Sequence, residues 1–197
     1  ATGALMEYAR QLARNGQKGP SEKVCRLVMS NTDDAERLPT RTAALAVLVS
    51  ARGGAALSDL LSAIDHADPE YRSAALQLAE RLRGPAPLRA WIEKARATDA
   101  VRRSEIIAML GRQGDAGALP YIRESLVDPE PDVCLAAARA LAHAERARAV
   151  PDLLALLKPA TGETARQIGD LLLWTIDERH LDPLADMLDS LQPQAKA

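Results

Sequence analysis

A repeat of 31 residues constrains this chain more than any other feature. Leu57, Leu88, Leu119, Val150 and Leu181 fall 31 residues apart. Three residues after each stand Leu60, Trp91, Ile122, Leu153 and Leu184, and seven after stand Ile64, Ala95, Leu126, Leu157 and Leu188. Offsets of 0, 3 and 7 lie on one face of a helix. A single helix pair cannot bury its own apolar face, but pairs that stack share a continuous core. The register therefore predicts a stacked array.

A second helix follows the same period. Arg41, Arg72, Arg103 and Cys134 are its anchors, 31 residues apart, with Ala165 next in line. Three residues later come Ala44, Ala75, Ile106 and Ala137, and seven later Leu48, Ala79, Leu110 and Leu141. Small residues on this face let helix axes approach to about 8–10 Å. Asp68-Pro69-Glu70 and Asp128-Pro129-Glu130 each read as an N-cap, a first-turn proline and an acid at the positive helix end. Gly53-Gly54, Gly84-Pro85 and Gly114-Asp115 read as helix ends between repeats.

This punctuation predicts helices near 3–15, 20–30, 38–52, 55–65, 69–83, 86–97, 99–112, 116–127, 130–144, 147–158, 163–176 and 179–191. Composition agrees with an all-α chain. Of 197 residues 38 are Ala and 29 are Leu, both strong helix formers. Phe is absent, and Val, Ile and Thr are too scattered for strands.

The pattern Asp-Pro-Glu-x-Arg-x-x-Ala-Ala, followed by an apolar helix and a Gly-Asp or Gly-Gly end, resembles HEAT-like repeats. It is most similar to the short class of phycobilisome-lyase-type HEAT proteins and of bacterial scaffold segments. The resemblance spans residues 20–191 and departs at Cys134, where the family usually has Arg, and at Ala165. It implies an α-α superhelix, a HEAT-like solenoid of about five to six antiparallel helix pairs. Residues 1–197 form one array on this reading, with 1–19 as an N-terminal capping helix and 192–197 as a tail. In the family the anchor arginines usually tie to an Asp near the inter-helix turn, for which Asp68, Asp99 and Asp128 are placed.

Several classes of function are disfavoured. The net charge of −2 lacks the basic excess of a dedicated duplex binder. One local bias exists: Arg81 to Arg112 holds eight basic residues against Glu93, Asp99 and Glu105. No apolar run of the ~18–20 residues that span a membrane is expected. Cys25 and Cys134 form no disulfide framework, and stacking places them on the order of 30 Å apart. His66, His143 and His180 fall in different repeats, so spacing assembles no metal triad. No phosphate loop, HExxH or GxSxG occurs, and neither catalytic residues nor a cofactor are expected. The chain does not begin with Met, which fits a processed protein or a segment of a larger bacterial one. The compartment stays open.

One set of side chains points to binding. On the second helices, offsets +3 and +7 are buried, and at about 100° per residue offsets +5 and +9 point the other way. The +9 row is Ser50, Arg81, Arg112, His143 and Trp174, and the +5 row is Ala46, Gln77, Ala108, Arg139 and Asp170. The resemblance implies that second helices line the concave surface. Arg81, Arg112, Arg139, His143 and Trp174 then form a partner-binding stripe, since Arg and Trp are enriched at binding hot spots. The first repeat is expected to contribute only Ala46 and Ser50. The competing reading is a solvated helix face with Trp174 packed on helix 179–191. The function expected is a non-catalytic protein-interaction scaffold whose partner offers an acidic surface. The alternative, from the same resemblance, is a nucleic-acid binder of the alkylpurine DNA glycosylase type. A bilin lyase is a third reading, from the repeat class alone.

Overall fold

Each helix pair is bounded by residues that cannot continue a helix. Gly53, Gly84, Gly114 and Gly162 all take positive φ, a backbone region nearly closed to side-chain-bearing residues. Prolines follow at Pro39, Pro69, Pro85, Pro120, Pro131 and Pro151, each in the first turn of a helix, where no intrahelical N–H bond is lost. A computed structural model describes residues 2–32 and 34–176. The helices are α1 (Thr2–Arg14), α2 (Lys18–Ser30), α3 (Leu38–Arg52), α4 (Leu57–Ala63), α5 (Pro69–Ala79), α6 (Pro85–Ala97), α7 (Ala100–Gln113), α8 (Leu119–Glu124), α9 (Pro131–Glu145), α10 (Val150–Leu157) and α11 (Gly162–Thr175). Short 3-10 turns lead into α3, α4, α8 and α10. Among the described residues there is no strand. The helix expected at 179–191, with Leu181, Leu184 and Leu188, lies outside the described residues.

Several boundaries differ from expectation: the helices expected at 55–65, 116–127 and 147–158 are α-helical only over α4, α8 and α10, with 3-10 turns leading in. The helix expected over 69–83 ends at Ala79. The helix expected from residue 130 starts at Pro131, and its N-cap is Glu130, not Asp128. The cause is a second proline: Pro131 drives Glu130 into extended backbone, φ −87 and ψ 114. Asp128 instead accepts the Glu130 N–H at 3.0 Å, forming a turn. At the equivalent Asp68-Pro69 no second proline follows, and Asp68 caps the Tyr71 N–H at 2.9 Å as expected.

The chain divides into two units, Ala1–Met109 and Leu110–Ala197. In the first, α1 packs on both α2 and α3, over a core of Met6, Ala9, Cys25, Val28, Ala44 and Leu48. There α3 contacts α5, and α4 contacts α5 and α6. In the second, α8 packs on α9, α9 on α11, and α10 on α11. Second helices thus neighbour second helices (α3 with α5, α9 with α11), and a first helix neighbours a first (α4 with α6). The stretch Leu38–Ala63 is long and apolar enough by length and composition to cross a membrane, contrary to expectation. It is not one straight rod: Gly53, with φ 55, ends α3, whose Ala44, Leu45 and Leu48 are fully buried within the protein.

The repeat columns map onto burial. Leu60, Trp91, Ile122 and Leu153 are buried, as are Ala44, Ala75, Ile106, Ala137 and Ile168 on the second helices. The first column is less deep than its apolar character suggests. Leu57, Leu88 and Leu119 are only partly buried, whereas Ala56, Ala118 and Ala149, one residue earlier, are fully buried.

Candidate partner-binding face

The second helices carry two opposed faces. Offsets +3, +4 and +7 from each anchor are buried in α3, α5, α7 and α9. The +9 row faces solvent at every member: Ser50, Arg81, Arg112, His143 and Trp174 are all exposed. In the +5 row Gln77, Arg139 and Asp170 are exposed, and Ala46 and Ala108 are partly so. Arg81 lies in the first unit, in the turn after α5. Arg112, Arg139, His143 and Trp174 belong to the second unit, on α7, α9 and α11.

The structure brings three of these five residues onto the α9–α11 edge. The rings of His143 and Trp174 lie parallel, 2° between planes and 6.5 Å between centroids. Arg139, one turn before His143, donates to Gln167 on α11 at 2.8 Å. A fourth residue joins them that the +5 and +9 rows missed. Arg146 sets its guanidinium over the Trp174 ring, 5.2 Å from the centroid, within cation–π range. The sequence did carry a signal for it: Arg146 falls three periods after Gly53, at a position suited to glycine. The carboxylates on the same edge are engaged. Glu163 pairs with Arg166, which also reaches Asp170 at 3.4 Å. The Arg166 guanidinium and the Gln167 amide lower the pKa of the Glu163 carboxyl to about 2.

The first repeat is not bare, correcting the expectation of Ala46 and Ser50 alone. Helix α1 brings Arg10 and Arg14 beside Ser50, and Lys18 follows on α2. These four ring a cavity of about 240 Å³ over Ala13, Val47 and Ala51. Glu7 lies 3.4 Å from Arg10 and 3.9 Å from Arg14. The spacing of Arg10, Arg14 and Lys18 at every fourth residue was the available signal.

The anchor column is structural in its contacts. Each anchor donates to a carbonyl near the end of the helix before it. Arg41 reaches Met29 O at 2.7 Å, Arg72 reaches His66 O at 3.0 Å and Ala67 O at 2.7 Å, and Arg103 reaches Thr98 O at 3.3 Å. Cys134, where the repeat has thiol instead of guanidinium, keeps the role: its Sγ donates to Leu126 O at 2.9 Å. These are helix C-terminal carbonyls, which lack intrahelical donors. Asp68 also serves as an N-cap and Asp99 also pairs with Arg102, and the charge of both adds to that of Glu105 in raising the Arg72 pKa. The carboxylate on Arg72 is Glu105 of α7, in a two-pronged pair at 2.7 and 2.8 Å. The local basic bias is also drawn into packing: Lys94 binds Asp65 at 2.6 Å, and Arg102 donates to Ile64 O at 2.8 Å.

The remaining candidates are accounted for locally. Trp91 is fully buried in its column. His66 accepts from the Asp68 N–H at 3.0 Å and packs on Tyr71. Both cysteines are free thiols, and burial pushes both pKa values up. Among the described residues no three His, Cys, Asp or Glu side chains gather as a metal site. His180 lies outside the described residues.

Comparison with known proteins adds a family. No curated protein matches the chain. Residues 86–172 match the family model for HEAT repeats. The matched stretch runs from α6 into α11, three of the helix pairs that the 31-residue register delimits, and the same register holds N-terminal to it. Sequence period and paired helices give an all-α repeat array, HEAT-like over the matched residues 86–172.

Proposed function

We propose that the chain is a non-catalytic protein-interaction scaffold. Its partner presents an acidic surface to the outward, concave-side face of the second helices. HEAT repeats commonly serve as protein-interaction scaffolds. One observation carries the reading here: Arg112, Arg139, His143 and Trp174 are exposed on the side of their helices opposite the buried columns, and Arg81 is exposed in the turn after α5. Within the second unit, side chains repeated at one offset on α7, α9 and α11 form a stripe that an extended partner can follow. Arg pairs planar carboxylates in two-pronged fashion, so aligned guanidinium groups select an acidic partner. The net charge of −2 argues against the nucleic-acid alternative.

A pull-down compares wild type with a variant carrying Arg81→Glu, Arg112→Glu and Arg139→Glu. The expected result is a protein partner retained by wild type and lost by the variant. Its association rate should fall as salt rises, because charge steers encounter. A partner held equally by both forms removes this face from consideration. Duplex DNA retained by wild type and released by the same variant would favour the nucleic-acid reading instead.

A further inference from the structure

The turn joining α9 to α10 holds a residue in a conformation meant for glycine. Arg146 has φ 51 and ψ −124. Three periods earlier Gly53 ends α3 with φ 55 and ψ −129. The two turns have the same backbone, yet one carries a long cationic side chain. Among the described residues Arg146 is the one non-glycine residue with positive φ. Strained positions of this kind persist where surrounding structure holds them, and they cluster at sites of function.

The conformation has a product. It delivers the Arg146 guanidinium to the Trp174 ring, with His143 lying parallel to the same ring. Trp174 is nonetheless 54% exposed. An indole held by two neighbours and open to water is a preorganised anchor, and it loses little freedom on binding. Arg139 and His143 lie one turn apart on α9, and Arg146 follows three residues later as its C-cap. Seven residues at 1.5 Å each place the two guanidinium-bearing positions about 10 Å apart. Among the described residues, neither Arg139 nor Arg146 has a carboxylate partner: the contacts are the Gln167 amide and the Trp174 ring. The edge therefore offers two cations awaiting anions, with an aromatic plate alongside.

We propose that this edge binds an extended acidic segment of a partner protein, in polyproline II conformation. In that conformation residues i and i+3 fall on one edge of the peptide, about 9 Å apart. Two carboxylates at that spacing match Arg139 and Arg146. Prolines between them suit the exposed indole, as in other aromatic-lined grooves that hold such helices. The proposal rests on the protein-interaction reading above and names its partner chemistry. Arg146 acts both as a ligand for one carboxylate and as the residue that positions Trp174.

The test uses a defined peptide, acetyl-Gly-Glu-Pro-Pro-Glu-Gly-amide, and follows the two tryptophan indole N–H signals by NMR. Trp91 is fully buried and serves as the internal control. The expected result is a saturable shift of the Trp174 signal with Trp91 unmoved. The matched peptide with Gln for both Glu should bind at least tenfold more weakly. Arg146→Gly should weaken the Glu peptide about tenfold while the melting temperature holds or rises, because glycine suits that backbone. Trp174→Ala should weaken it similarly. Equal binding of the Gln peptide, or full binding by Arg146→Gly, would overturn the proposal. A lower melting temperature in Arg146→Gly with binding intact would make Arg146 merely structural. A single-stranded oligonucleotide that displaces the peptide and shifts Trp174 more strongly would overturn it in favour of nucleic acid. Failure of the peptide leaves the three-arginine pull-down standing on its own result, so the two readings fail separately.

Discussion

Gly111 and Arg146 are positions where one side chain decides how close the backbone can come or which way it turns. A Cβ on Gly111 would sit 2.5 Å from Ala140 Cβ and 2.7 Å from its Cα. The α7 and α9 backbones are therefore in near contact, and relief would require a backbone shift. Gly111→Ala should cost about 1–3 kcal/mol, the range for overpacking. Its chemical denaturation midpoint should fall with an unchanged denaturant slope. A midpoint equal to wild type would mean that the helices separate freely here. Arg146 is the converse case, a side chain kept at a glycine position at a cost of about 1–3 kcal/mol. Its period equivalence to Gly53 was legible in the sequence. The contact with Trp174 was not, because it crosses from the end of α9 to the end of α11.

At the scale of the element, the anchor column closes each helix pair. A guanidinium at the start of the second helix satisfies carbonyls at the end of the first, which would otherwise be orphaned. Arg72 carries the most: its side chain is 6% exposed and binds two carbonyls and both oxygens of Glu105. Glu105 beside it pushes the guanidinium pKa further up. Arg72→Ala strands the carbonyls and the carboxylate together. It should destabilise by about 3–5 kcal/mol, as when one partner of a buried pair is removed. Arg72→Lys should recover only part, since a point charge cannot reproduce the fork. A thermal melt of Arg72→Ala within a degree or two of wild type would refute this role. The recurrence of the anchors was visible in sequence, but the carbonyls they bind were not; the spacing offered only Asp68, Asp99 and Asp128 as partners. Those residues lie close to the anchors along the chain, whereas the carbonyls actually used are set by how the two helices cross.

Across the whole molecule, ion pairs between neighbouring repeats follow the same clock. Arg26 with Asp59 and Arg72 with Glu105 are 33 residues apart, and Lys94 with Asp65 and Arg123 with Asp152 are 29 apart. Each pair lies within one of the two units and joins an element to its counterpart one repeat away. The contrast between buried and exposed columns, on first and second helices alike, gives the broadest prediction. Leu153 and Ile122 lie in the buried column, whereas Gln77 is exposed and Leu119 only partly buried. Leu153→Ala and Ile122→Ala should each cost about 2–5 kcal/mol. Gln77→Ala should cost under about 0.5 kcal/mol, with Leu119→Ala between. Equal losses across the four variants in urea titrations would mean that the faces are wrongly assigned.

What the sequence determined alone was periodic: which residues recur every 31 positions, and hence which helices exist and which faces are apolar. Periodicity is a property of one helix about its own axis, so it survives without knowledge of neighbours. It also separated Arg81, Arg112, Arg139, His143 and Trp174, each exposed, from the core. The tertiary structure decided what lies across from each residue. It put Glu105 on Arg72, Arg146 on Trp174, and Arg10 and Arg14 beside Ser50. Those pairings depend on crossing angle and rotamer, which no spacing along one chain encodes.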